Sequence, residues 1–394
     1  MNESFRVLGV STILPSVEDP GAGVFILRRL ASLPPEFEVE ALRTRPWFPG
    51  IARVKPHLAR ARVEREERQG VVIRDLRFAY LPGFLKRLDG VSLARRLRGY
   101  ILASGHRYDL LDGHFAYPAG FAAVRTGRVF DIPSVVTLRG TMASYLGDGR
   151  RGAILETLRG ATRLVAVSSS LARLAREVAG EDLDVRVIGN GVDTELFRSG
   201  DREAARRELG LGDRGPVLLT VGGLVPRKGV HRVLEALPDL VRKHPDLVYL
   251  VVGGAGVEGD FGGVLRERVA ALGLEDHVRF TGPVPPEDLP TCYRAADLFV
   301  LSTSNEGWAN VLQESLACGL PVVATDVGGN REVVGGETHG LVIPFGDPRA
   351  LATALDDALA ARWDRDAVAA WGGRRDWKDV GREVAAVFRE AMDA

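Results

Sequence analysis

The chain has 394 residues, a formal net charge of zero, 45% hydrophobic and 26% charged residues. That length points to about two domains, and the composition excludes disordered and all-membrane chains. Cys292 and Cys318 are the only cysteines and form no C-x-x-C pair, which argues against disulfide scaffolds and zinc ribbons and makes a reducing cytoplasm the expected compartment.

The N-terminal run MNESFRVLGVSTILPS is broken by Gly9, Ser11 and Thr12 and reads as a first buried strand rather than a signal peptide. No apolar stretch approaches the roughly 18 residues of a membrane-spanning helix. PGAGVF follows, with Gly21 and Gly23 ahead of the helical ILRRLASL. The glycines suit either close approach of a ligand to the backbone or a plain tight turn. Residues 1 to 190 hold 29 Lys and Arg against 20 Asp and Glu, and the remainder holds 23 against 32. Most of the basic excess lies in residues 43 to 98. Such a stretch suits an anionic membrane surface, a lipid-linked phosphate or an acidic glycan, or equally a set of solvated helix faces. Nucleic acid is not expected, because no aromatic interleaving or binding motif accompanies the charge.

Strand-like runs then alternate with helical ones, as in doubly wound parallel sheets. The first-half strands read as FRVLGV, FEVEALR, VVIRDLRFAYL, DLLDGHF, SVVTLRG, RLVAVS and VRVIGNGV. His114 ends the fourth, Arg139 ends the fifth, and Asn190-Gly191 reads as a hinge turn. After the polar segment near residues 192 to 214 the pattern restarts with PVLLTVGG, LVYLVVGG, VRFTG, LFVLSTS, PVVATDVGG and GLVIP. TVGGLVPRKGV follows the first of these and presents Arg227 and Lys228 after a glycine turn. With 47 arginines and 5 lysines in the chain, a lysine here is a compact cation suited to phosphate charge; a solvated turn is the plainer alternative. Gly254, Gly256 and Gly259 form G-x-G-x-x-G, but after the second strand of their domain, so a nicotinamide fingerprint is not favoured. Asp182 with Asp184 and Asp364 with Asp366 read as surface charge rather than a metal-binding D-x-D.

The segment from Thr303 to Val334 is the most informative. Glu306 and Glu314 are separated by seven residues around a strand-to-helix turn, where ligands of open α/β sheets bind. The helix N-terminus between them, with Asn310, Val311 and Leu312, offers a seat for a diphosphate. The final run, DWKDVGREVAAVFREAMDA, is an amphipathic helix that needs a packing partner.

The E-x7-E spacing and the continuation ACGLPVVATDVGG resemble family 4 glycosyltransferases, which are retaining enzymes of the GT-B fold. The resemblance implies two Rossmann-like domains facing each other across a donor cleft: an acceptor domain over 1–195, a nucleotide-sugar domain over 196–375, and a helix over 376–394 returning to the first. It implies that Glu314 binds the ribose, Glu306 lies near the transferred sugar, Lys228 stabilises the leaving diphosphate, and backbone from Gly282 to Val284 meets the base. The family's Gly-rich loop corresponds to Gly21 and Gly23, and His114 falls on the acceptor side. Two departures stand out. The family's donor-loop arginine falls at Gly223, so its role would pass to Arg227 or Arg139, and the aspartate expected after Arg139-Gly140 is absent. The implied activity is metal-independent transfer of a hexose-type sugar from a nucleoside-diphosphate sugar to a glycan, lipid-linked or small-molecule acceptor, with no cofactor beyond that donor. A catalytically weak nucleotide-sugar-binding scaffold, or another GT-B enzyme such as an epimerase, is the alternative. The protein is expected in the cytoplasm, with residues 43–98 as the stretch that would touch the inner face of a membrane.

Overall fold

A computed structural model describes residues 4–17, 19–54, 65–80, 86, 88–212, 214–256 and 258–394. The chain divides into two compact units, residues 1–191 with 377–394, and residues 192–376. These limits differ by a few residues from the 195/196 and 375/376 junctions read in the sequence.

The first unit carries β1 (Phe5–Ser11), β2 (Phe37–Trp47), β3 (Arg65–Arg68), β4 (Val71–Ala79), β5 (Leu110–His114), β6 (Ser134–Leu138), β7 (Arg163–Ala166) and β8 (Arg186–Val187). They form one sheet in the order β3-β4-β2-β1-β5-β6-β7-β8. Only β3 runs antiparallel, paired with β4. This strand escapes a hydrophobic-pattern reading because its four residues, REER, are all charged. Charge on a sheet edge is what keeps it from pairing with other chains. The final expected strand shrinks to the two residues of β8, and Asn190-Gly191 lies beyond it.

Alternation along β1 explains the two cores. Val7 packs with Ile26, Leu30, Val380, Val384 and Phe388, whereas Leu8 and Val10 face Leu93, Leu97 and Leu111 on the other side. The apolar stripe of the helix Trp377–Met392 is thus buried in the first unit.

In the second unit, β9 (Val217–Val221), β10 (Val248–Val252), β11 (Val278–Gly282), β12 (Leu298–Leu301), β13 (Val322–Thr325) and β14 (Gly340–Ile343) form an all-parallel sheet. The order is β11-β10-β9-β12-β13-β14. Strands β9, β10, β12 and β13 are buried at every residue, as continuous apolar runs covered by helices on both faces should be. Chain direction reverses its lateral progress between β9 and β12, so the loops leaving these neighbours open a crevice at their carboxyl ends.

The basic excess of residues 43 to 98 is partly internal. Buried Arg43 pairs with Asp75 at 2.5 Å and Glu66 at 2.6 Å, and Arg45 reaches the same Asp75 at 2.9 Å. Arg74 is held by Glu40 at 2.6 Å. Arg95 and Arg96 on the helix Leu88–Ser104 are exposed. Residues 55–64, 81–85 and 87, which include Lys55, Arg60, Arg62 and Arg87 of the basic stretch, lie outside the described residues. Among the described residues no helix is long and apolar enough to cross a membrane.

Candidate functional site

In the second unit, β9 and β12 are hydrogen-bonded neighbours with Leu218 opposite Leu298. Parallel pairing therefore brings the loop after β9, which holds Arg227 and Lys228, against the loop after β12, which holds Glu306. Lys228 Nζ donates to Glu306 Oε1 at 2.6 Å, and Arg227 Nη1 donates to the same oxygen at 3.2 Å. Arg227 also donates to the Asn305 carbonyl at 3.0 Å and through Nε to Glu258 at 2.8 Å. Burial alone would lower the Arg227 pKa, but Glu258 and Glu306 outweigh it and raise the value, so the guanidinium stays charged.

Two glycines make this closeness feasible. Gly229, at φ +82°, would drive a Cβ into the Ser302 carbonyl oxygen at 1.8 Å, and Gly328, at φ +56°, would place one 1.7 Å from the Glu306 carbonyl oxygen. Left-handed backbone and absent side chains let both loops press on the segment that positions Glu306.

The helix Asn310–Ala317 begins just beyond, with Ala309 at its N-cap and no side-chain cap. Asn310 and Val311 lie in its first turn. Leu312 differs from the sequence reading: it is fully buried and its N–H donates to the Ala309 carbonyl at 3.1 Å, so that group is committed within the turn. One helical turn after Asn310 stands Glu314, whose Oε2 accepts from the Tyr293 hydroxyl at 3.0 Å. Burial, reinforced by Glu314, raises the Tyr293 pKa well above its ordinary value, so the phenol remains a donor. Gly282 ends β11 at φ +75° with open space where a Cβ would stand, and Val284 packs against the core. A Cβ on Gly223 would lie 3.3 Å from Gly256 Cα, so the glycine-rich 254–259 turn occupies the space beside it. Gly256 and Gly259 bridge each other there, and the next helix starts at Gly262. Asp364 caps the helix Arg365–Gly372 by accepting from the N–H groups of Asp366 and Ala367, a structural task that accounts for this D-x-D.

In the first unit, Gly23 caps the helix Val24–Ala31 in left-handed backbone while Gly21 is open to addition. His114, at the end of β5, and Arg139, after β6, are both buried. Arg139 Nη2 lies 3.5 Å from His114 Nδ1, its guanidinium sits 4.8 Å over the Phe25 ring, and His114 Nε2 is 3.1 Å from Asp112 Oδ2. Burial, opposed by Asp112, lowers the His114 pKa and favours neutral imidazole. Burial and the neighbouring Arg29 lower that of Arg139 strongly, with Asp112 as its opposing charge. Asp112 is thus the anionic partner a buried guanidinium requires. Arg139 is buried beside His114 rather than presented at a surface.

Two family models cover this chain in sequence: Glycosyltransferase Family 4 over residues 51–196 and Glycosyl transferases group 1 over residues 201–374. A D-inositol 3-phosphate glycosyltransferase of Frankia alni is 31% identical over 95% of this chain and 97% of its own. The chain belongs to glycosyltransferase family 4. A second relative of the same name, from Thermobispora bispora, is 31% identical over 98% of this chain and 95% of its own. Sucrose-phosphate synthase from Thermosynechococcus elongatus matches with a TM-score of 0.79 at 20% identity, covering 98% of each chain. Anabaena HepE in complex with UDP matches at 0.74 and 22%, covering 98% of this chain and 99% of that one. These likenesses establish the GT-B fold for this glycosyltransferase.

Within this family 4 glycosyltransferase, two residues had no visible signal in the sequence. Tyr293 reaches Glu314 from a different helix, and Trp308 Nε1 donates to buried Gln313 Oε1 at 3.0 Å, tying the turn to the helix that follows. A lone tyrosine in YRAAD and a lone tryptophan in EGWAN carry no spacing that announces either contact.

Proposed function

We propose that this glycosyltransferase is a retaining, metal-independent hexosyltransferase using a nucleoside-diphosphate sugar. The observation that carries the reading is the Lys228–Glu306 pair at 2.6 Å, adjoined by Arg227, ahead of an uncapped helix N-terminus. Lys228 would exchange part of its contact with Glu306 for the donor diphosphate, whose departing charge grows as the bond to the anomeric carbon breaks. Preorganised cations and helix N–H groups stabilise such charge. Glu306 would accept hydrogen bonds from the transferred sugar, and Glu314, held by Tyr293, would accept them from the ribose. In the retaining step, the acceptor oxygen forms its bond on the face from which diphosphate departs, and its proton passes to a diphosphate oxygen. His114 would contribute on the acceptor side, with Arg139 as the residue that positions it.

HepE in complex with UDP-glucose supports a UDP-sugar as the first donor to test, and the relatives' name supports D-inositol 3-phosphate as the first acceptor. Glycan and lipid-linked acceptors form further arms, and exposed Arg95 and Arg96 would serve contact with an anionic membrane if the acceptor is lipid-linked. Free, buried Cys292 and Cys318 fit a cytoplasmic setting. The test is transfer from UDP-glucose, UDP-N-acetylglucosamine and GDP-mannose to these acceptors, with and without EDTA, followed by NMR of the product's anomeric configuration. Retention, insensitivity to EDTA and loss of transfer in Glu306→Ala are expected. Inversion, or a requirement for divalent metal, overturns the mechanism, and turnover of no donor with any acceptor favours the scaffold reading.

A further inference from the structure

A second concentration of positive charge lies in the same unit as the donor residues but at the other ends of the strands. An open cavity of about 420 Å³ is lined by Arg202, Arg206, Arg214, Arg365, Asp297 and Trp363, among others. Asp297 directly precedes β12, and Pro216, also in the lining, directly precedes β9. Lys228 and Glu306 follow the carboxyl ends of those same two strands. A strand of five residues spans about 16 Å, so an ion in this cavity is out of contact with the donor residues.

Charge in the cavity does not balance. Four guanidiniums face one carboxylate among the described lining residues. Asp297 is already engaged: it accepts from Arg206 Nη2 at 2.6 Å, from Arg202 Nη2, and from the Val217 N–H at 2.8 Å. Arg365 Nη2 stands 4.0 Å from Asp297 and donates instead to the Ala296 carbonyl at 2.8 Å. Arg202 Nε is buried without a hydrogen-bond partner. Burial, together with repulsion from Arg202 and Arg206, lowers the Arg365 pKa, the cost expected when like charges share a site. A dianion would relieve that repulsion, and guanidinium forks match phosphate oxygens in pairs. The rest of the lining is apolar. Trp363 is fixed by its Nε1 donating to the Ala358 carbonyl at 2.8 Å, and it stands beside Ala358, Leu359 and Ala361. The volume falls within the range of small-molecule sites.

We propose that this cavity is a binding site for a phosphate monoester, with the phosphate on Arg202 and Arg365 and a compact organic body against Trp363. It is a site separate from the donor machinery, and its test does not depend on the transferase mechanism.

Calorimetric titration of the full chain at constant ionic strength, with glucose 6-phosphate, inorganic phosphate and glucose, tests it. Saturable binding of glucose 6-phosphate is expected, weakened about tenfold or more in Arg365→Gln and in Arg202→Gln and unchanged in Lys228→Ala. Tighter binding of glucose 6-phosphate than of inorganic phosphate assigns the organic body to Trp363, whereas equal binding reduces the site to one for free phosphate and overturns the monoester assignment. Arg365→Gln leaves the Asp297 pairs with Arg202 and Arg206 in place, and circular dichroism establishes that it folds. As a measurement independent of those arginines, ligand-dependent quenching of indole fluorescence should vanish in Trp363→Phe. Binding that persists in Arg365→Gln but disappears in Lys228→Ala places the anion on the donor loop and overturns the proposal, as does the absence of saturable binding to either phosphate.

Discussion

Lys228 enters the donor loop already paired. In the proposed mechanism its contact with Glu306 would hold the ammonium in place until a donor diphosphate takes over part of that contact, and a cation so positioned is where electrostatic catalysis gains most. Lys228→Ala is therefore expected to lower kcat by about 10²–10³-fold, with a smaller change in donor KM. Steady-state transfer assays check this, and an unchanged kcat would remove Lys228 from the chemistry. A second residue makes a pH prediction. Asp89, buried at the start of the helix Leu88–Ser104, has its pKa pushed from 3.8 up to about 6 by burial, against the opposing charges of Arg150 and Lys86. The folded state thus binds the proton more tightly than the unfolded state, and stability falls as pH rises from about 4 to about 6. Asp89→Asn should stabilise the protein at pH 7.5 by on the order of 2 kcal/mol and give no gain at pH 3.5. Thermal unfolding at the two pH values decides it, and an equal gain at both would exclude ionisation as the cause.

At the scale of elements, close approach between helices depends on single missing side chains. Gly381 sits in the helix Trp377–Met392, and a Cβ there would come within 1.8 Å of the Ser32 carbonyl oxygen, at the end of the helix Val24–Ala31. Gly381→Ala should destabilise the first unit by about 2 kcal/mol, since backbone cannot yield as a flexible side chain does. Urea unfolding followed in wild type and variant measures this; a shift below about 0.5 kcal/mol would mean that the two helices move apart freely. Elements of the second unit were legible because each buried strand is a compact, largely apolar run, and β9, β10 and β13 have Gly or Pro directly at one end or both. Strand β3 was not, since charged residues at a sheet edge follow the needs of solubility rather than burial.

At the scale of the whole molecule, the C-terminal helix belongs to the unit formed by the beginning of the chain. It supplies Val380, Val384, Val387 and Phe388 to that unit's core. Full burial of such side chains contributes roughly 1.5–3 kcal/mol each, which together rivals the 5–15 kcal/mol of a typical domain. A chain ending at Asp376 should lose cooperative folding of the first unit while residues 192–376, which have their own two cores, stay folded. Limited proteolysis with mass spectrometry should yield a protected fragment near 192–376. Survival of the first unit under the same digestion would show that the helix is dispensable.

How much of the site could be read in advance differs from residue to residue. Glu306, Glu314 and Lys228 stand in local patterns, a strand end, a glycine turn and a helix start, so their neighbourhoods follow from short-range rules. A helix first turn offers N–H groups in general, whereas the 3.1 Å bond from the Leu312 N–H to the Ala309 carbonyl belongs to this particular turn. The burial of Arg139 depends on what packs over the end of β6, which a strand-end position alone does not record.

By itself the sequence determined the α/β alternation and the family, since these depend on periodicity and local spacing. The tertiary structure alone decided that Lys228 meets Glu306, 78 positions away, that Tyr293 holds Glu314, and that three arginines, Arg202, Arg206 and Arg365, gather around Asp297. Those contacts arise from sheet order. Parallel pairing of β9 with β12 brings distant loops together at both ends of the strands, and no local pattern in the chain records which strands become neighbours.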